Sequence, residues 1–315
     1  MHTKLIFSMA ASVLSLLGTT SALAQVWPEK TVTIVVPTAA GGANDAMART
    51  IAQKLGPLLG QTILIDNRAG ANGSIASEFV ARAPADGYTL LLGQTGEITV
   101  NRLLVKDMGY DPMKELVPVV LIGNAPLIML APVDAPYNTV AEFIQQAKAK
   151  PDQFSYGSVG AGTPGHLSAV ALGLGAKINM VHIPYKGVGP MVTDLLGGQI
   201  QFAFADTGNA VSQMNGGRMR GLGVTTKKRA GKAPNVPPIG ETVKDYNVSA
   251  WFGLMAPAGM PADVQKKATA TLMAVLAKPE VREKIQGVGI DLDVEDPATL
   301  AKTIDAEIKK WGGWV

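Results

Sequence analysis

Cysteine is absent from this sequence of 315 residues, and histidine occurs only as His2, His166 and His182. The absence of cysteine excludes disulfide bonds, thiolate zinc sites, cysteine nucleophiles and lipid anchors attached to cysteine. So few histidines also argue against a histidine-rich metal site, and we expect no bound metal. Charged residues amount to 17% and the formal net charge is +3, which does not favour a surface that binds nucleic acid.

Apolar residues are plentiful, at 47% of the chain, beside 35 glycines and 20 prolines. This composition supports a substantial core and excludes disordered and collagen-like chains. The length indicates one large domain or two of ordinary size. Aromatic residues reach only 5%, so nothing indicates a ligand stacked between aromatic rings.

Residues 1–24 have the features of a secretory signal peptide. Lys4 gives a positive start, residues 5–17 form an apolar stretch of 13 residues, and residues 22–24 have the small-x-small form of a cleavage site. Such a stretch is too short to span the ~30 Å hydrocarbon core of a bilayer. We therefore expect cleavage after Ala24 and a soluble protein exported to a bacterial periplasm.

Short apolar runs alternate with helical patterns along the first part of the mature chain. Residues 31–36 read TVTIVV, a β-branched strand, and apolar residues then recur at helical spacing from Met47 to Leu58. Further strands are predicted at residues 62–65 and 88–92. Strands that alternate with helices predict a mostly parallel sheet with helices on both faces.

A second series of the same kind follows, which makes two α/β lobes the simplest organisation. Thr139 and Glu142 form a capping box that opens a helix over residues 140–149. Strands are predicted at residues 154–159, 178–183, 200–205 and 221–225. Later helices are predicted to begin near Pro261, Pro279 and Pro297. The last of these carries an apolar stripe typical of core packing, formed by Leu300, Ile304, Ile308 and Trp311.

Two glycine-rich loops occupy equivalent positions, each after a predicted strand and before a predicted helix. The first reads PTAAGGAND at residues 37–45, and the second reads SVGAGTPGH at residues 158–166. Loops of this kind place backbone N–H groups and the positive end of a helix dipole at the edge of a sheet, where they suit an anion. Neither loop contains arginine or lysine. We therefore expect amides, hydroxyls and ordered water to hold a carboxylate.

Other chemistries have weaker support. The second loop contains G-x-G-x-x-G, but the acidic residue that dinucleotide binding requires is missing near residues 182–186, so we expect no cofactor. Ser158 lacks the glycine two residues earlier that a G-x-S-x-G nucleophile elbow requires. His166 and Asp206 leave an exported hydrolase or lyase as an alternative. Packing of His166 and solvation of Asp206 are the competing interpretations.

Several longer motifs point to a family. They are VVPTAAGGAND, IDNRAGANGSIASEFVARAPADGYTLLLG, YDPMKELVPV, AKAKPDQFSYGSVGAGTPGHL, IPYKGVGPMVTDLLGGQIQFAFAD, LGVTTKKR and WFGLMAPAGMP. In these motifs and their order, over nearly the whole mature chain, the sequence closely resembles the Bug (TctC-like) solute receptors. These receptors are the extracytoplasmic substrate-binding proteins of tripartite tricarboxylate transporters.

The resemblance implies a two-lobed α/β fold of the periplasmic-binding-protein type (type II, Venus flytrap), in which the chain crosses between the lobes twice. We place the crossings near residues 123–127 and 224–228. Lobe one is then residues 25–124 plus 227–315, and lobe two is residues 125–226.

The resemblance also implies that a ligand carboxylate is held between the two loops, often through bridging waters. Carried onto this sequence, the expected ligand-binding residues are Thr38, Ala40, Gly41, Gly42, Asn44, Asp45, Gln94, Glu97, Ser158, Gly160, Gly162, Thr163, His166, Asp206 and Thr207. Thr38 departs from relatives, in which this position is often aromatic. Glu97, if it points inward, favours a ligand with an amino group, and the alternative is that it points to solvent.

The function implied is that of a monomeric periplasmic receptor. It would capture a small di- or tricarboxylate, or a related organic acid, without breaking bonds in it. The closed receptor would deliver this ligand to the permease subunits of a tripartite tricarboxylate transporter. A sensor kinase is the alternative partner, and neither nucleic acid nor a metal is expected.

Overall fold

The computed structural model describes residues 27–313, so the predicted signal peptide and its cleavage site lie outside the described residues. The strands are β1 (Val32–Val36), β2 (Ile63–Asn67), β3 (Thr89–Gln94), β4 (Leu116–Ala125), β5 (Leu127–Pro132), β6 (Ser155–Ser158), β7 (Val181–Pro184), β8 (Phe202–Asp206), β9 (Met219–Val224), β10 (Ala250–Pro257) and β11 (Asp291–Glu295). They form a six-stranded sheet in the order β11-β4-β10-β3-β1-β2 and a five-stranded sheet in the order β7-β6-β8-β5-β9.

Helices cover both faces of the two sheets. They are α1 (Ala43–Leu59), α2 (Ser74–Ala81), α3 (Asn101–Leu104), α4 (Pro112–Glu115), α5 (Val140–Ala149), α6 (Pro164–Ala176), α7 (Val188–Leu196), α8 (Thr207–Asn215), α9 (Ala262–Leu276), α10 (Pro279–Gly287) and α11 (Pro297–Gly312). A π-helical turn at Gly96–Val100 joins β3 to α3, and turns of this kind are frequent at functional sites. Within residues 27–313, no helix combines the length and apolar character needed to cross a membrane.

Both sheets are mixed, which corrects the prediction of a mostly parallel sheet. β1 pairs in parallel with β2 and β3, and β6 pairs in parallel with β7 and β8. In contrast, β10 is antiparallel to β3 and β4, and β5 is antiparallel to β8 and β9. The antiparallel strands β5 and β10 directly follow the two points at which the chain passes between the sheets, so their direction is imposed by the crossings.

The first crossing is short and is fixed by two hydrogen bonds. β4 ends at Ala125 in the six-stranded sheet and β5 begins at Leu127 in the five-stranded sheet. The amide of Leu127 donates to Oγ1 of Thr225, and the amide of Thr225 donates to the carbonyl of Leu127. The chain segment after β9 therefore lies beside the first crossing.

The packing of residues 227–248 bears on the position of the second crossing. The sequence places residues from 227 onward in lobe one, whereas the buried apolar side chains of residues 227–248 pack against the five-stranded sheet. Val236 joins the core cluster of Ile128 and Leu130, and the Tyr246 hydroxyl donates to the Ser168 carbonyl at 2.9 Å. We therefore propose residues 27–125 plus 249–313 as lobe one and residues 126–248 as lobe two. The burial of apolar side chains in residues 227–248 is the basis of this division.

The C-terminal helix joins the cores of both lobes. Leu300 and Ile304 pack with Trp251 against the six-stranded sheet, whereas Trp311 belongs to the cluster that contains Phe143 of lobe two. The predicted burial of the α11 stripe is confirmed. Full burial of a leucine or isoleucine side chain contributes about 1.5–3 kcal/mol to the stability of the fold. One helix thus stabilises both lobes.

Candidate functional site

The first glycine-rich loop lies between β1 and α1 and presents mainly backbone. Ala40, Gly41 and Gly42 are exposed, and Gly41 has φ +88°, a conformation that favours glycine. Gly42 is the N-cap of α1 and provides no side-chain cap. The first-turn amides of α1 consequently keep their capacity to bind an anion.

Asp45 is hydrogen-bonded to the backbone of this loop. Its Oδ2 accepts hydrogen bonds from the Gly41 amide at 3.0 Å and from Arg49 Nε at 2.9 Å. The Arg49 guanidinium and the Gly41 amide lower the pKa of Asp45 to about 2. We therefore interpret Asp45 as a positioning residue. The Thr38 hydroxyl in the same loop is buried and has no hydrogen-bond partner among the described residues.

The second glycine-rich loop lies between β6 and α6 and is organised by its own hydroxyl groups. Ser158 Oγ accepts a hydrogen bond from the Gly160 amide at 3.1 Å, and Thr163 Oγ1 donates to the Gly160 carbonyl at 2.7 Å. Thr163 is the N-cap of α6 but makes no side-chain cap bond. The start of α6 therefore resembles the start of α1, with first-turn amides that no side chain caps.

The second loop lines a cavity of about 70 Å³ between the lobes, whereas no described residue of the first loop does. Gln94 lines it from lobe one, Gly162 and Pro164 line it from lobe two, and Val248 and Ser249 line it from the second crossing. Asn44 of the first loop reaches this wall indirectly, because its Nδ2 donates to Gln94 Oε1 at 3.0 Å.

Comparisons with known proteins agree with this architecture. The family model described as "Tripartite tricarboxylate transporter family receptor" matches residues 47–315. The chain belongs to this family. BugT of Bordetella pertussis is 32% identical over 296 residues, which cover 93% of this chain and 90% of BugT. A UPF0065 protein of Pseudomonas sp. strain P51 is 34% identical over 287 residues, which cover 90% of this chain and 85% of that protein.

Solved structures of family members share the fold. The structure of R. palustris Rpa4515 with adipate has a TM-score of 0.75 at 34% identity and covers 91% of this chain and 97% of its own. MatC from Rhodopseudomonas palustris with bound malate has a TM-score of 0.71 at 30% identity and covers 91% and 99%. The periplasmic binding protein BugD has a TM-score of 0.71 at 33% identity and covers 91% and 97%. The predicted two-lobed receptor fold is thereby confirmed.

Glu97 of this receptor takes neither of the two directions that the sequence left open. Its side chain is fully buried behind the cavity wall, and Oε1 accepts the Gln94 amide at 2.8 Å. Oε2 lies against Gly73, where a Cβ would approach it to 2.9 Å, and it has no hydrogen-bond partner among residues 27–313. Burial raises the pKa of Glu97 to about 8. At neutral pH, Glu97 is therefore a neutral carboxyl group that accepts the hydrogen bond from the Gln94 backbone amide.

His182 is a site residue that the sequence did not single out. β6 and β7 pair in parallel with Tyr156 opposite His182, and the two rings stack at a centroid distance of 5.1 Å. His182 Nε2 lies 2.7 Å from Ser158 Oγ. Ser158 is only 1% exposed, so this pair fixes the loop and gives a substrate no access to the hydroxyl. No local pattern predicts such a strand register.

His166 is tied to the same loop. Its Nδ1 accepts the Gly162 amide at 3.3 Å, and its ring lies 4.4 Å from the ring of His182 between centroids. Burial lowers the pKa of both histidines, and the neighbouring His182 lowers the pKa of His166 further. Both imidazoles are accordingly neutral near pH 7.

Asp206 and Thr207 lie at the end of β8, where the sequence predicted them, but their side chains form local bonds. Asp206 is exposed and caps α8, because Oδ1 accepts the Asn209 amide at 2.9 Å. The buried Thr207 donates to the Pro126 carbonyl at 2.8 Å, at the first crossing. A contact of either residue with a ligand stays a prediction.

Two larger grooves, of about 400 and 500 Å³, also include Ser249 in their lining. Lys227 and Asp293 line both, and the smaller one is lined in addition by Lys228, Arg229 and Asp291. An anion in the smaller groove would therefore meet cations as well as carboxylates, but neither groove is lined by a described residue of the two glycine-rich loops. The cavity at Gln94 and Gly162 is therefore the better candidate for the solute.

Proposed function

We propose that this protein captures a small organic carboxylate between its lobes and delivers it to the permease subunits of a tripartite tricarboxylate transporter. One observation carries the proposal: α1 and α6, one from each lobe, begin at glycine-rich loops without a side-chain cap. Gln94, bonded to the first loop, and Gly162 of the second loop line the same cavity. First-turn amides and the helix dipole stabilise an anion at such a position.

Closure of the lobes is the expected consequence of binding. A ligand that contacts both loops binds the closed form more tightly than the open form, so it shifts the population toward closure. The permease would recognise the closed arrangement of the two lobe surfaces. Rpa4515 with adipate and MatC with malate are family members whose structures hold small carboxylates, which supports this ligand class.

The remaining features of the proposal follow the family. We propose a monomer without cofactor or catalytic activity, exported to the periplasm and cleaved after Ala24. The related BugD is described as a periplasmic binding protein. The burial of Ser158 supports the absence of hydrolysis, since its hydroxyl is the one closest to a histidine in the second loop.

A thermal-shift screen of residues 25–315 tests the proposal. The protein is unfolded and refolded to remove any bound ligand, then heated with mono-, di- and tricarboxylates, amino acids and uncharged analogues. A ligand at a hundred times its Kd stabilises the native state by about 2.7 kcal/mol, which raises the Tm by several degrees. A shift with carboxylates alone, without turnover, is expected. Shifts confined to uncharged or cationic compounds would contradict the proposal.

Delivery to a permease needs a separate experiment. Uptake of the identified carboxylate is measured in cells that express this receptor with the transmembrane subunits of a tripartite tricarboxylate transporter. Uptake that requires both components is expected. If binding is normal but uptake does not depend on the receptor, the transport partner is wrong and the binding function stands.

A further inference from the structure

The inner wall of the cavity between the lobes carries no charge. Among the described residues, none of those that line it is Asp, Glu, Lys, Arg or His. Its apolar part is formed by Val100, Pro164, Leu167, Val248, Ala250 and Trp311. A second carboxylate placed here would lose its hydration without gaining a cationic partner, which is strongly unfavourable.

The polar side chains of this wall are already hydrogen-bonded within the protein. Gln94 Oε1 accepts from Asn44, Thr95 Oγ1 accepts the Trp251 amide at 2.9 Å, and Ser249 Oγ donates to Asn124 Oδ1 at 3.1 Å. A polar group of the ligand would have to compete with these bonds. The wall consequently offers packing surface and few free donors or acceptors.

Asn72 lines the cavity from lobe one and is also hydrogen-bonded within the protein. Its Nδ2 donates to Asn101 Oδ1 at 2.7 Å, and Asn101 Nδ2 donates back to the Asn72 carbonyl at 3.1 Å. The acid behind this wall is Glu97, whose Oε2 has no hydrogen-bond partner among residues 27–313. A negative group on the ligand would therefore approach a carboxyl group and no cation.

On the basis of the proposed function, we infer that the solute is a short aliphatic monocarboxylate. Its carboxylate binds at the two glycine-rich loops, and its uncharged hydrocarbon body fills the cavity lined by Val100, Leu167 and Trp311. The cavity of about 70 Å³ accommodates a short chain only. This solute differs from adipate and malate, the dicarboxylates in the structures of Rpa4515 and MatC.

The length of the chain gives a graded test. The series acetate, propanoate, butanoate, pentanoate and hexanoate is titrated into refolded protein by isothermal calorimetry. Each methylene that enters the cavity is expected to lower the Kd about fourfold, until the cavity is full. A Kd that does not change with chain length would overturn the inference, because the body would then lie in water.

Matched pairs test the charge. Butanoate is compared with succinate, pentanoate with glutarate, and hexanoate with adipate, so that each pair differs by a terminal carboxylate in place of a methyl group. We expect each monocarboxylate that binds to do so at least about tenfold more tightly than its partner, a difference of about 1.4 kcal/mol. Tighter binding of the dicarboxylates would overturn this inference but leave the proposed function intact. Absence of binding by any carboxylate would overturn both.

A pair of isosteric variants tests whether the hydrocarbon part of the ligand lies in the cavity. Val100→Thr places a hydroxyl in the cavity wall, whereas the control Val275→Thr places one in the core of lobe one, where Val275 is equally buried. We expect a several-fold higher Kd for butanoate in V100T and an unchanged Kd in V275T. Equal effects of the two variants would show that the hydrocarbon does not contact this wall. Val248→Thr provides a second wall variant if V100T does not fold.

Discussion

Asn44 and Gln94 are separated by 50 residues in the sequence, and the amide of Asn44 donates a 3.0 Å hydrogen bond to the side-chain carbonyl of Gln94. This bond connects the first glycine-rich loop to the wall of the cavity between the lobes. Glu97 in turn accepts a hydrogen bond from the backbone amide of Gln94. Hydrogen bonds therefore connect the first loop, the cavity wall and a buried acid.

The Asn44–Gln94 bond is testable with a double-mutant cycle. N44A and Q94A each release the loop, and we expect each variant to raise the Kd about tenfold. A coupling energy of about 0.5–1.5 kcal/mol between them is expected for one hydrogen bond. Calorimetric titration of the four proteins measures it. Additive effects would show that the bond does not position the loop.

Gly42 should be essential for binding and dispensable for folding. The position of its missing Cβ meets only the Ala39 carbonyl, at 3.8 Å, so Gly42→Leu leaves the fold intact and places its side chain at the start of α1. We expect a loss of carboxylate affinity of at least about a hundredfold with an unchanged Tm. Gly287→Leu is the control, because Gly287 is equally exposed and its Cβ position is open. Retained affinity in G42L would remove the first loop from the site.

Glu97 should make the stability of the protein fall as pH rises. Folded Glu97 keeps its proton up to about pH 8, whereas its ordinary pKa is 4.5, so folding takes up a proton between these values. The free energy of unfolding therefore decreases from pH 4.5 to about pH 8. Glu97→Gln keeps the acceptor for the Gln94 amide and removes the titration. We expect the Tm of E97Q minus that of the wild type to increase over this range by at least about 2 °C, and a constant difference would contradict a buried neutral acid.

The histidine pair should have the opposite pH dependence. His166 and His182 have pKa values below the ordinary 6.5 in the folded protein, so the unfolded chain takes up protons first as pH falls. Stability is then complete above pH 6.5 and decreases as pH falls below it. In the double variant H166Q/H182Q this contribution is absent. Thermal melts from pH 7.5 to 5 check it, and parallel curves for the two proteins would argue against coupling of these rings to folding.

Asp206 should contribute to stability through its cap on α8. Loss of an N-cap side chain costs about 1 kcal/mol, so Asp206→Ala is expected to lower the Tm by roughly 2–4 °C. Asp206→Ser retains a capping oxygen and should recover most of this loss. If both variants have the wild-type Tm but altered ligand selectivity, Asp206 is a ligand residue as the sequence predicted.

Local sequence patterns predicted the helices with good accuracy. The capping box at Thr139 and Glu142 gave the bounds of α5, and Thr139 Oγ1 accepts the Glu142 amide at 3.1 Å. α10 and α11 begin at the predicted prolines, Pro279 and Pro297. These features depend on a few adjacent residues, so the sequence contains all the information that they need.

Features that depend on distant segments were predicted less well. The sequence did not indicate the lobe against which Val236 and Tyr246 are buried. Antiparallel pairing of β10 with β3 and β4 was also missed, because pairing direction follows from the crossings and not from the strand's own residues.

The sequence by itself determined the chemistry available to this protein. It supplied two glycine-rich loops without a cation, no cysteine, and enough ordered motifs to indicate the receptor family. Only the tertiary structure decided the direction of each side chain. Glu97 is behind the wall, Asp45 is turned toward its own loop, and His182 is beside Ser158. These directions are set by strand register and by burial against residues far along the chain, and no local pattern contains either.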